Sequence, residues 1–168
     1  MRSRFSRAAL AAVVALAGLV ALEQAQADPP SSNGLGAKVL SWAKSRLRSQ
    51  VGNGECWTLA HDALEAAGAK RPGQELGVYA YGTPVSLLSV QPGDILQFEG
   101  VVFKSPNGAT QQMDHHTAIV VTRVRSLRHP VIAILHQNVA GDRTVQYGTI
   151  NINERQSGTI RAFRPVAR

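Results

Sequence analysis

Cys56 is the only cysteine in this 168-residue chain, so it cannot close a disulfide within it. Such a thiol is an inert small apolar residue, a link to another chain, or a nucleophile. Its neighbours favour the nucleophile. A helix is expected over residues 55–67, which puts Cys56 in the first turn, just after Gly52-Asn53-Gly54. Unpaired backbone N–H groups and the positive end of the helix dipole favour a thiolate there. Glu55 works against this unless its side chain turns to solvent. On this reading the thiol titrates below its ordinary value of about 8.5.

A nucleophilic thiol needs a base, and the base needs an orienter. His116 stands at the start of the most β-branched run of the chain, residues 117–124. A histidine at a strand mouth is held by a rigid backbone, which suits a general base. The next expected strand ends in Leu135-His136-Gln137-Asn138. If the two strands are antiparallel neighbours, His136 or Asn138 can reach the far nitrogen of His116. His115 reads as a surface residue at a loop end. His61 lies five residues after Cys56 and points away from it, and Trp57 reads as packing. Asp114, the three later histidines and Cys56 show neither Cys-x-x-Cys nor His-Glu-x-x-His spacing, so no metal or cofactor is expected.

The elements that must position these groups read as two helices followed by strands. Leu35, Val39, Leu40, Ala43 and Leu47 recur at helical steps over residues 35–50. Asn53 or Gly54 can cap the second helix and Gly68 can stop it. Residues 69–91 read as irregular. Pro92-Gly93-Asp94 is a turn into a strand at 95–98. Short strands are expected at 101–103, 117–124, 131–135, 144–152 and 159–163, with a polar loop at 105–112. The pattern is α+β.

The N-terminus reads as an export signal. Arg2, Arg4 and Arg7 precede an apolar run over residues 8–22, and Ala25-Gln26-Ala27 supplies a small-x-small cleavage pattern. The run is shorter than the roughly 20 residues of a spanning helix. Residues 1–27 are therefore expected to be a cleaved signal peptide, 28–34 a linker and 35–168 one domain. The destination is secreted or periplasmic, with no stable membrane anchor after cleavage. Cleavage removes three arginines and one glutamate, so the mature chain is less basic than the full chain's +7. That balance fits attraction to an acidic envelope polymer. Scattered arginines and few aromatics argue against nucleic acid. Arg123, Arg125 and Arg128 read as a solvated face.

Taken in order, Gly54-Glu55-Cys56-Trp57, Gln91-Pro92-Gly93-Asp94-Ile95-Leu96-Gln97-Phe98, His116-Thr117-Ala118-Ile119-Val120 and His136-Gln137-Asn138 resemble the CHAP and NlpC/P60 branch of papain-like cysteine hydrolases. The set is closer still to the cysteine-proteinase-fold domain at the end of a fungal actin-patch, myosin-associated SH3 protein. The resemblance spans roughly residues 35–165. It implies N-terminal helices, with the cysteine at a helix start, packed on an antiparallel, barrel-like sheet. It also implies Cys56 as nucleophile, His116 rather than His115 as base, and a structural role for Asp94. The orienting role is shared between His136 and Asn138, because His136 stands where CHAP domains carry Glu. The implied activity is a thiol-dependent amidase or peptidase working through an acyl-enzyme, with peptide or peptidoglycan as substrate. The alternative is a non-catalytic binding module that keeps the fold.

Overall fold

The structure, a computed structural model, describes residues 34–75, 78–124 and 130–168. The expected signal peptide, nearly all of the linker, Arg125 and Arg128 lie outside the described residues. The first helix, α1 (Gly34–Lys44), buries Gly36, Val39, Leu40 and Ala43. The second, α2 (Cys56–Ala67), buries Cys56, Thr58, Leu59, Ala60, Ala63 and Leu64. Small residues on the inner face of α2 let it approach its neighbours closely. It stops at Gly68, whose φ of 77° lets its N–H cap the last carbonyls.

Helix α1 is shorter than its apolar period implies. Arg48 takes a left-handed backbone with φ 63°. Its N–H donates to Val145 O, and Val145 N–H donates back to Ser49 O. Residues 47–50 thus exchange helical hydrogen bonds for bridges to Thr144 and Val145. Leu47 still packs on the core, but from a bridge.

Residues 69–91, expected to be irregular, carry β1 (Gly73–Glu75), β2 (Val78–Ala80), β3 (Thr83–Val85) and a 3-10 turn at Leu87–Ser89. Three-residue strands are too short to show a period. β1 and β2 pair only with each other. The main sheet adds β4 (Ile95–Lys104), β5 (Thr110–Val124), β6 (Val131–His136), β7 (Gln146–Asn151) and β8 (Arg155–Arg164), in the order β3-β8-β4-β5-β6-β7. Every pairing is antiparallel. The polar stretch expected as a loop is the first arm of β5, paired with the outer half of β4 around a turn at 105–109. Pairing with β4 outweighs the arm's polar composition.

One apolar cluster lies between the helices and the sheet and includes Leu59, Ala63, Tyr81, Ile95, Ile119, Leu135 and Phe163. A second, with Leu96, Phe98, Ala118, Val120, Ile134 and Ile160, covers the other face. This alternation is the pleat of a sheet buried on both sides. The Pro-Gly-Asp turn presses on α1: a Cβ on Gly93 would lie 2.0 Å from Gly36 O. Asp94 is buried, accepts from Gln91 N–H and pairs with Arg164 at 3.0 Å. Its role in the fold is structural.

Candidate active site

The loop before the thiol is held by a residue that sequence reasoning left without a role. Gln137 is fully buried just past the end of β6. Its Oε1 accepts from Val51 N–H at 3.1 Å. Its Nε2 lies 3.0 Å from Val51 O, 2.7 Å from Glu55 O and 2.8 Å from Thr58 Oγ1. One amide therefore ties both ends of the 51–55 loop to the strand that carries His136. The Val51 N–H is committed to Gln137, so it is not free to serve as an oxyanion donor. Glu55, rather than Asn53 or Gly54, is the N-cap of α2, and it makes no side-chain cap. The Asn53 Oδ1 instead accepts from Glu55 N–H at 3.0 Å.

Cys56 is buried against β5. Its sulfur lies 3.8 Å from His115 O, and the N–H groups of Thr117 and Trp57 also act on it. The thiol is thus set against the backbone on both sides of His116. Burial raises its pKa first, the two N–H groups oppose that, and the Glu55 charge adds to the rise. This reverses the direction expected from the helix terminus. A local dipole cannot offset the desolvation of a thiolate enclosed by the sheet.

His116 lies in the interior of the long strand β5, opposite Phe98 of β4, and not at a strand mouth. Its Nε2 is 3.1 Å from Nδ1 of His136. The rings stand nearly perpendicular, with centroids 5.2 Å apart. Burial lowers both imidazoles to about 4, and for His116 the neighbouring charges of His136 and His115 add to it. Both are neutral at pH 7, so one shares its single N–H with the other. With Nε2 engaged by His136, Nδ1 is the His116 nitrogen left for a reacting group. Asn138 goes elsewhere. Its backbone turns left-handed at φ 62°, and its Nδ2 donates to Glu55 Oε2 at 2.9 Å. Arg143 holds the other Glu55 oxygen at 3.2 Å. The Glu55 carboxylate is drawn to these two partners.

The AIM3/BBC1 cysteine proteinase-fold domain matches residues 29–168. The chain belongs to this family. A relative in Debaryomyces hansenii, Altered inheritance of mitochondria protein 3, is 26% identical over 155 residues, covering 81% of this chain and 16% of that protein. The chain therefore spans about a sixth of the relative's length. Among solved structures, the crystal structure of Ly7917 matches with a TM-score of 0.52 and 20% identity, over 77% of this chain and 62% of that one. The structure of Ly7917 with the hydrolyzing product of MDP matches equally well, covering 79% and 64%. At this identity the likeness speaks for the fold.

Around the cysteine of this family member, β4 and β5 carry a polar row. His115 is half exposed and its Nδ1 lies 2.9 Å from Glu99 Oε2. Glu99 accepts from Gln97 at 2.8 Å, and Gln97 Oε1 accepts from the Thr117 hydroxyl at 2.7 Å. Thr117 is thereby left to accept from the buried Tyr81 hydroxyl at 3.1 Å, and burial raises the Tyr81 pKa. The pairing with Glu99 was not visible in the sequence, because it needs the register Glu99↔His115. Trp57 stacks on Tyr79 at 5.8 Å and meets His61 edge-on. His61 bonds Asp62 at 2.9 Å. Arg123 is buried and donates to Leu88 O, which corrects its reading as part of a solvated face.

Proposed function

We propose that the protein is an exported thiol-dependent amidase or peptidase that cuts peptidoglycan peptides through an acyl-enzyme on Cys56. The observation that carries this is the buried His116–His136 pair at 3.1 Å, with His116 on the strand against which the helix-start thiol packs and His136 at the end of its neighbour. Because burial favours the neutral forms, the site starts as thiol and imidazole. As Cys56 Sγ attacks the amide carbonyl, its proton passes to His116 Nδ1, and His136 holds the ring. The Cys56 backbone N–H faces the developing oxyanion. His116 returns the proton to the departing amine, leaving a thioester. Water, giving its proton to His116, then releases the acid and restores the thiol. His136 is the orienting residue in this scheme, and Asn138 supports it only through Glu55.

Two further points support the substrate class. Ly7917 was solved with the hydrolyzing product of MDP, and the chain opens with the features of an export signal. Export is tested by N-terminal sequencing of protein recovered outside the cytoplasm: Asp28 is expected first, and a full-length cytoplasmic product would refute it. Hydrolysis is tested by incubating the full chain and its Cys56→Ser variant with purified muropeptides, followed by mass analysis. New amines should form with the native chain alone. A non-catalytic binding module is the second reading, favoured by the raised thiol pKa and by a sulfur that bonds His115 O. Retained muropeptide binding without cleavage would select it.

A further inference from the structure

A cavity of about 610 Å³ lies beside the aromatic wall of the site, lined by Tyr79, Ser86, Leu87, Arg161 and Phe163 among others. Among the described residues, Arg161 is the one charged group in its lining. Its side chain is exposed, yet among the described residues it makes no hydrogen bond or ion pair. The other arginines near the sheet ends are engaged: Arg143 with Glu55, Arg164 with Asp94, Arg168 with Glu65. A guanidinium left free in a groove whose described lining carries no acid is complementary to an anion. Its planar fork matches a carboxylate.

The register connects this group to the thiol. Arg161 of β8 is opposite Gln97 of β4, and Gln97 is opposite Thr117 of β5. Opposed residues in adjacent strands share a face. Arg161, Gln97 and Thr117 thus form a row across three strands, and Thr117 is the residue whose N–H acts on Cys56; Gln97 and Thr117 are buried, so the row fixes the spacing between the two groups and is not itself an open path. At about 4.8 Å per strand, Arg161 and Thr117 are about 10 Å apart at their Cα atoms. An extended peptide advances about 3.4 Å per residue, so one to three residues separate the attacked carbonyl from a carboxylate at Arg161. Tyr79 makes the wall continuous, since it both lines the cavity and stacks on Trp57. β3 pairs with residues 162–164 of β8, so on that side the edge of β8 from Arg155 to Arg161 pairs with no strand among the described residues.

We propose that this cavity is a carboxylate subsite of the cleft, with Arg161 as its anion-binding residue and an acidic peptide as its occupant. The proposal rests on the reading of Cys56 as a nucleophile toward peptides, and it names which peptides are taken. The test uses the full chain as Cys56→Ser, so binding is read without turnover. Calorimetric titrations compare N-acetyl-alanyl-glutamine, N-acetyl-alanyl-glutamate α-amide and N-acetyl-alanyl-glutamine amide. These carry an α-carboxylate, a side-chain carboxylate and none. At least one acid should bind tenfold or more tightly than the neutral peptide. Which acid does so identifies the carboxylate's source. Arg161→Gln should abolish the preference and Arg161→Lys should restore part of it, with unchanged melting temperatures because the side chain is exposed. Equal or absent binding of all three peptides, or a preference that survives Arg161→Gln, would overturn the subsite. Failure of muropeptide cleavage in the native chain would instead count against the nucleophile and leave this result standing.

Discussion

Gly148 offers a way to disturb the imidazole pair without touching either ring. It lies on β7, the edge strand beside β6, and its φ is outside the left-handed region, so alanine meets no backbone strain. A Cβ there would lie 2.7 Å from His136 Nε2, 2.9 Å from Cε1 and 3.4 Å from Ile134 Cγ1. Ordinary contact begins near 3.4 Å, so the ring must give by about 0.7 Å. It cannot move straight ahead, because His136 Nδ1 is already at hydrogen-bond distance from His116, 3.1 Å. The ring must tilt, which lengthens or bends that bond past useful geometry. Overpacking of this kind costs about 1–3 kcal/mol, or roughly 4–10 °C in melting temperature for a domain of this size. A misplacement near 1 Å in catalytic machinery can cost about 100-fold in turnover. Gly73→Ala is the control, since that strand glycine has open space. The assay is muropeptide turnover and melting temperature, with a crystal structure of Gly148→Ala. Unchanged turnover with the His–His distance still near 3.1 Å would refute the reasoning. So would an edge strand that simply moves away while the pair stays intact.

Three other expectations follow from the same geometry. Gln137→Leu strips the partner from Val51 N–H and loosens both ends of the 51–55 loop; about 1–3 kcal/mol of stability should be lost by denaturant titration, and a loss under about 0.5 kcal/mol would contradict the clamp. Cys56 alkylation in the resting protein should show an inflection above the ordinary value of about 8.5, because burial raises the thiol; an inflection near pH 6–7 would reveal a preformed thiolate–imidazolium pair. Both imidazoles titrate near 4 in the fold and near 6.5 unfolded, so the unfolded chain binds more protons between those values. Stability should then fall as pH drops from 6.5 towards 4, by up to about 2.7 kcal/mol per pH unit for the two groups together, and His136→Phe should flatten that slope; a flat profile in the native chain would contradict their burial as neutral rings.

Much of the architecture was legible because it is written in local chemistry. The Gly-Asn-Gly turn and Gly68 bracket α2 to within a residue. The apolar β-branched runs mark the cores of β5 and β6. What was hidden depends on partners far along the chain. The polar arm of β5 becomes a strand only by pairing with β4, and α1 yields its last turns to Val145. In the site, the helix start of Cys56 and the approach of His136 to His116 were legible, but His116 lies inside β5 and not at its mouth. The clamp by Gln137 was not visible, because a buried amide and an exposed one read alike. The thiol's direction of shift was misjudged for a related reason: a helix terminus is local, whereas desolvation is set by the sheet that covers it.

The proposed reaction carries an acyl fragment of the peptide on Cys56. It is tested most directly by mixing the full chain with muropeptides, quenching with acid within milliseconds to seconds, and measuring the intact mass. A transient increment equal to the acyl fragment is expected, localised to Cys56 by digestion, longer-lived in His136→Ala and absent in Cys56→Ser. Cleavage that proceeds with no adduct at Cys56, or that persists in Cys56→Ser, would contradict it.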